Sequence, residues 1–295
     1  MGKKSSKLLA VLCIAALFAS CLCPVASAAD TADSQPTECD SQALVCTEVP
    51  IYEDDRYLGI GFITDDDVTL VPLRTFLEAV LDVEFEVEWE HDSATATLTS
   101  TDLLITLTLS DGYMCINGRY IYLRDSVYNI NGTIIVPIRD LATLFGLEPT
   151  WDAEEHCVIL RTENLTMPVC GDEFYPAEDL YWLSHVIYSE SGNQPLDGMI
   201  GVGNVVMNRA ADDSGAFNSG IQGVIFQQGQ FDVVAAGTIY YTPSDKAVVA
   251  AKLCLEGYNT AGDAKWFVNP AIGSSTWFRT YKTLAITIAD HDFYA

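Results

Sequence analysis

Ala177 to Arg209 reads AEDLYWLSHVIYSESGNQPLDGMIGVGNVVMNR, and the interpretation of the C-terminal half rests on it. Leu180, Leu183 and Ile187 stand at i, i+3 and i+7, Val186 fills in beside them, and Glu190 continues the series at i+10. This spacing predicts a helix with one apolar stripe and a carboxylate at its last turn. Ser191-Gly192-Asn193 interrupts it. Pro195, suited to a first helical position, then opens a second apolar helix through Met199, Val202, Val206 and Met207. A glutamate near a helix C-terminus is most often simply solvated. Facing the core, however, its charged form is disfavoured and its pKa rises, which is the condition a general acid needs near neutral pH.

The run YSESGNQPLDGMIGVGNVVMNR resembles the signature of the SleB/CwlJ-type cell wall hydrolases, the family of spore-cortex-lytic enzymes. Tyr188, Glu190, Ser191, Gln194, Pro195, Gly198, Gly203, Asn208 and Arg209 match that signature. Asn193 stands where the family has glycine, a small departure. Further on, Gly223 to Phe231 (GVIFQQGQF) matches the family's glutamine-rich element, Trp266 to Pro270 (WFVNP) its aromatic-x-Asn-Pro strand, and Ile288 to Tyr294 its terminal strand. The resemblance implies a lysozyme-like α+β catalytic domain that cuts the glycan strands of peptidoglycan. It also implies Glu190 as the catalytic residue, with Tyr188, Gln230, Phe231 and Asn269 lining the substrate groove. Asp232 departs from the family's serine or threonine and is a weaker candidate for a second acid. His291 reads as structural.

The count of acids bears on mechanism. Ordinary glycosidases flank the bond with two carboxylates, whereas here only Glu190 combines a core-facing helix position with the family motif. One acid suffices for a lytic transglycosylase, which closes the muramic C6 hydroxyl onto the cleaved carbon to give a 1,6-anhydro end. A two-carboxylate muramidase and a non-catalytic wall-binding protein are the alternatives. Spore cortex and vegetative wall are both open as substrates. The reaction as implied needs no cofactor and no metal.

Upstream, Met1 to Ala28 reads as a signal peptide: Lys3, Lys4 and Lys7, an apolar run from Leu8 to Cys23, and the small-residue site Ala26-Ser27-Ala28. The expected location is therefore secreted or cell-wall-associated, with lipidation at Cys21 the weaker alternative. Cleavage removes three of 15 Lys+Arg and none of 41 Asp+Glu, leaving 12 basic against 41 acidic residues. So acidic a chain gains nothing electrostatically from nucleic acid or an anionic membrane. Its expected partner is the glycan strand of peptidoglycan, held by aromatic faces and hydrogen bonds, and no integral membrane domain is expected.

Six cysteines survive cleavage: Cys39, Cys46, Cys115, Cys157, Cys170 and Cys254. They form no CxxC pair and have no histidine at ligand spacing, which speaks against zinc. Export permits disulfides, and Cys39–Cys46 is close enough in sequence to staple a loop.

Residues 29–49 read as a flexible leader. Residues 50–163 change to a β texture with an internal repeat: Val71-Pro72-Leu73-Arg74 recurs as Val136-Pro137-Ile138-Arg139, each followed by a short helical run, a tryptophan (Trp89, Trp151) and a strand. This resembles the copper amine oxidase N-terminal-like domain, a repeated β-α module, and implies a spacer or wall-association role. Copper itself is not supported, because His91 and His156 sit in separate surface turns. Residues 164–176 read as a linker, and residues 177–295 as the catalytic domain, with a fragment from about Asp172 onward expected to fold alone. Thr242-Pro243-Ser244-Asp245 is expected to cap a helix from Ser244 to Glu256, ended by Gly257.

Overall fold

The structure, a computed structural model, describes residues 46–123, 127–273 and 276–295. The expected signal peptide and most of the leader lie outside the described residues, as does Cys39 and with it the Cys39–Cys46 staple. The five described cysteines carry free thiols. Among the described residues no helix is long and apolar enough to cross a membrane.

The N-terminal half alternates strands with two short helices: β1 (Cys46–Glu53), β2 (Arg56–Thr64), β3 (Thr69–Pro72), α1 (Leu73–Leu81), β4 (Glu86–Glu90), β5 (Thr95–Thr99), β6 (Leu104–Thr108), β7 (Tyr113–Ile116), β8 (Arg119–Tyr122), β9 (Tyr128–Ile130), β10 (Thr133–Pro137), α2 (Ile138–Leu144), β11 (Glu148–Asp152) and β12 (Cys157–Arg161). They build a seven-stranded sheet in the order β11-β12-β1-β2-β3-β10-β9 and a five-stranded sheet in the order β4-β5-β6-β7-β8. Among the described residues the first strand starts at Cys46, inside the stretch expected to be leader.

The repeated motifs meet. Strands β3 and β10 pair antiparallel with Val71 opposite Val136, Leu70 opposite Pro137 and Pro72 opposite Ile135, so the two copies are related by a local two-fold. Each proline ends its strand in extended conformation and leads straight into a helix. Those helices bury Leu73, Phe76, Leu77 and Val80 in one copy and Ile138, Leu141 and Ala142 in the other, on one shared core. The two histidines occupy different places in the equivalent hairpin turns. His156 holds the left-handed position (φ 50°) that Ala94 holds in the first copy, whereas His91 takes the Nε1–H of Trp89 on its Nδ1 at 3.1 Å.

The C-terminal half is mainly helical: α3 (Gly171–Phe174), α4 (Ala177–Ser191), α5 (Leu196–Ala210), α6 (Ile221–Ile225), α7 (Asp232–Ala236) and α8 (Asp245–Leu255), with β13 (Trp266–Val268), α9 (Thr276–Tyr281), β14 (Leu284–Ile288) and β15 (His291–Tyr294) making a three-stranded sheet in the order β13-β15-β14. The described residues are thus α+β, as expected. Leu183, Val186 and Ile187 of α4 are fully buried, and α4, α5 and α8 pack around them. Gly203 permits the close approach: a Cβ there would lie 2.5 Å from Cys254 Sγ and 2.9 Å from Ile187 Cδ1. The cap of α8 differs from expectation by two residues. Ser244, not Thr242, accepts the Ala247 N–H, because the helix starts at Asp245 and Ser244 is the last extended residue before it.

The described residues form one compact unit, and the two halves are stitched through the β7–β8 hairpin. Arg119 grips Glu256 with two hydrogen bonds of 3.0 and 2.6 Å, and Tyr175 donates to the same carboxylate at 2.6 Å. Tyr120 N–H donates to Tyr175 Oη, Lys252 Nζ to Gly118 O, and Tyr122 Oη to Asp197. The stretch expected to be linker takes part: Gly171 N–H donates to Asn117 O at 2.9 Å, and the Arg119 guanidinium lies 3.5 Å above the Phe174 ring. Helix α8 thereby covers the open edge of β8, where unpaired strand backbone would otherwise face solvent.

Candidate active site

Glu190 lies in the last turn of α4, where the apolar stripe delivers it to the junction of α4, α5 and α7. Ser189 Oγ donates to Thr238 O at 3.0 Å and Ser191 Oγ to Ile187 O at 2.8 Å, so the residues on both sides of Glu190 are tied down. The following turn is held by Gln194, which is buried. Its amide donates to Asp290 Oδ2 at 3.1 Å, and its oxygen accepts the Asp290 N–H at 3.3 Å.

Three charges interact at this junction. Burial, reinforced by repulsion from Asp232 and opposed by Arg209, pushes the Glu190 carboxyl up to about 7. Arg209, in the last turn of α5, is pulled down to about 10 by burial, with Glu190 acting against that. Its Nε donates to Lys265 O at 2.7 Å, and its guanidinium carbon lies 5.0 Å from the Phe231 ring centre and 5.3 Å from that of Phe217. Its Nη1 is buried without a hydrogen-bond partner. Beside it, Asn208 Nδ2 donates to Ala264 O at 2.9 Å and to Gly262 O. The Asn-Arg pair thus fastens the loop that enters β13.

The other expected site residues divide. Gln230 is half-buried in the turn before α7, with its backbone N–H on Gln227 O. Tyr188 is half-buried, packed on the helical core with its ring against Gly192. Phe231 is only 5% exposed and stands under the Arg209 guanidinium, so its ring braces the arginine and offers no free stacking face. Asn269 shapes the turn after β13: its Oδ1 accepts the Ala271 N–H at 3.0 Å. Asp232 is exposed at the start of α7, where its charge reaches Glu190. His291 is buried with Nδ1 unpartnered, its ring edge-on to Phe267 at 5.4 Å, and burial lowers its pKa.

Two features escaped the sequence. Arg209 appeared there only as a motif letter, and nothing local shows that its charge is aimed at Glu190. The second is an aromatic ledge along α4: Tyr181, Trp182, Phe226 and Tyr240 touch ring to ring, and Tyr240 is 61% exposed. Its only sequence signal was a scatter of aromatics over three elements.

Residues 193–294 match the family described as Cell Wall Hydrolase, and residues 60–160 match the Copper amine oxidase N-terminal domain. The first match begins just beyond Glu190. The spore cortex-lytic enzyme of Bacillus cereus is 33% identical over 106 residues, covering 36% of this chain and 40% of that protein. The spore cortex-lytic enzyme of Oceanobacillus iheyensis is 32% identical over 106 residues, 36% of this chain and 38% of that protein. The chain therefore spans about two fifths of the length of these curated relatives. The solved catalytic domain of the germination-specific lytic transglycosylase SleB from Bacillus anthracis is 31% identical and aligns over 41% of this chain and 97% of that one, with a TM-score of 0.38. By these matches residues 193–294 carry a cell wall hydrolase domain, with a copper amine oxidase N-terminal domain at residues 60–160 preceding it.

Proposed function

We propose that this protein is exported and cleaves the glycan strands of peptidoglycan as a lytic transglycosylase, with Glu190 as its single general acid and base. The observation that carries the proposal is a half-buried carboxylate held near pKa 7 at the end of a packed helix, between an exposed aspartate and a buried arginine. Near neutral pH such a group gives up and takes back a proton with comparable ease. In the forward step the Glu190 carboxyl protonates the glycosidic oxygen between MurNAc and GlcNAc as the C1–O bond breaks. The resulting carboxylate then takes the proton of the muramic C6 hydroxyl, whose oxygen bonds to C1. The product carries a 1,6-anhydro end, and Glu190 regains its proton. Gln230 and the aromatic ledge are the proposed contacts to sugar.

The effect of Asp232 on Glu190 supports a second reading, in which Asp232 assists a water and the enzyme is a two-carboxylate muramidase. Mass spectrometry of purified peptidoglycan digested by the wild-type chain decides between them. Anhydro-muramic ends support the first, reducing muramic ends the second. No new sugar ends, with no clearing on a peptidoglycan zymogram, would overturn both. Running cortex and vegetative wall in parallel assigns the substrate.

A further inference from the structure

The repeated module of the N-terminal half makes two clefts of the same design, one in each copy. The larger, about 710 Å³, is floored by Pro72 and Leu73, flanked by Arg74 and walled by Trp89. The smaller, about 260 Å³, is floored by Pro137 and Ile138, flanked by Arg139 and walled by Trp151. The floor, arginine and tryptophan of one are the repeat equivalents of those of the other, related by the same two-fold that pairs Val71 with Val136. Each cleft adds its own polar groups: His91, Asn129 and Thr133 in the first, and Thr69, Thr150 and the carboxylates of Asp67 and Asp140 in the second, so that Arg139 is the cationic group of a mixed-charge rim.

We propose that these two clefts bind glycan strands that carry both N-acetyl and carboxylate groups, and that they hold the polymer against the same compact unit as Glu190. The ligand class follows from the lining. An indole wall beside an apolar floor suits the face of a sugar ring, and a few amide and hydroxyl groups suit its rim, the usual balance of a small-molecule site. The arginine adds a planar fork matched to a carboxylate. It occurs at the equivalent place in both clefts of a chain that has only 15 cationic side chains against 41 acidic ones. Both arginines are exposed. Arg74 keeps its Nε on Glu78 at 2.8 Å, which holds the guanidinium in place at the cleft. Trp151 is half exposed. Two modest sites on one body act together on a long polymer, since binding at one raises the effective concentration at the other. The identity of the polymer rests on the function proposed above; the clefts themselves do not.

The test uses the full chain with Glu190→Gln, which blocks turnover, and purified insoluble sacculi as the probe in a co-sedimentation titration. Trp151→Ala with Arg139→Gln is expected to weaken sedimentation about tenfold, the upper range for loss of one aromatic contact. Trp89→Ala with Arg74→Gln is expected to do the same. Thermal unfolding serves as the folding control. Trp89 packs partly on the core, so the exposed Trp151 and Arg139 pair is the decisive variant if Trp89→Ala unfolds. Sacculi with amidated carboxylates should also bind about tenfold less tightly. Undiminished sedimentation of a folded Trp151/Arg139 variant overturns the proposal. So does equal binding to amidated sacculi, or failure of the parent chain to sediment. Cleavage of soluble glycan fragments by the wild-type chain is scored separately: its failure removes the proposed reaction, while sedimentation still judges the clefts.

Discussion

Replacing Glu190 with Gln should make the protein more stable, by an amount that depends on pH. In the folded chain the carboxyl titrates at about 7 against an ordinary value of 4.5. Below the lower value, native and unfolded chains both hold the proton and the group contributes nothing to the pH dependence. Between the two values the unfolded chain releases it while the native chain keeps it, so native stability falls as pH rises. Every tenfold difference in proton affinity between the two states is worth about 1.4 kcal/mol, which makes the total loss about 3 kcal/mol by about pH 8. Glutamine has no proton to release and escapes the loss. Urea unfolding of both proteins across that range measures the difference directly, since every other titrating group is common to the pair. The stability gap should be smallest near about pH 4 and widest near about pH 8. Parallel curves, or a gap that closes with rising pH, would refute the burial of this carboxyl and with it the argument for a general acid. Activity should move the other way: Glu190→Gln is expected to lose on the order of 100- to 10,000-fold in glycan cleavage while remaining folded by circular dichroism.

Asp232→Asn removes the negative charge that helps hold Glu190 protonated. The alkaline fall in wild-type activity, expected around pH 7, should move to lower pH in this variant, with much less than the Glu190→Gln loss at the optimum. Loss of turnover equal to that of Glu190→Gln in a folded protein would favour the two-carboxylate reading. Gly203→Ala should destabilise by about 1–3 kcal/mol in denaturant unfolding, because its Cβ would meet Cys254 Sγ and Ile187 Cδ1 where three helices converge. Glu256→Ala leaves Arg119 and the Tyr175 hydroxyl without their shared acceptor at a site where the Arg119 and Glu256 side chains are 15% and 7% exposed. It should cost about 3–5 kcal/mol. A fragment beginning at Asp172 should unfold at a lower temperature than the full chain, since it bares the α8 face that β8 covers.

What the sequence disclosed was whatever its local spacing encodes. The Leu180–Leu183–Ile187 stripe and the break at Ser191 to Asn193 gave two helices in nearly their observed places. The duplicated VP[LI]R motif gave a repeated β-α module. What it withheld was pairing over long separations. Val71 against Val136 and Arg119 against Glu256 leave no periodic trace, so the repeat was legible but its two-fold was not, and the linker read as free when Gly171 and Tyr175 are bound into an interface. Phe231 shows the same limit at the site. An aromatic beside glutamines reads as groove lining until Arg209, distant in sequence, is found above its ring.

Arg209 also explains why a half-buried glutamate can serve both halves of the proposed reaction. Burial and Asp232 alone would drive the carboxyl further up, keeping it protonated at neutral pH but making it a weaker proton donor. A guanidinium in direct hydrogen-bonded contact would hold it ionised, ready as a base but empty as an acid. Arg209 does neither. Its Nε is committed to Lys265 O, two aromatic rings hold its plane, and its Nη1 has no partner, so it acts on Glu190 as a fixed charge. The opposed effects leave the carboxyl near 7, where acid and base forms are both well populated at neutral pH. Removing the arginine's charge should therefore raise the carboxyl's pKa and slow the step in which it gives up its proton more than the step in which its carboxylate takes one.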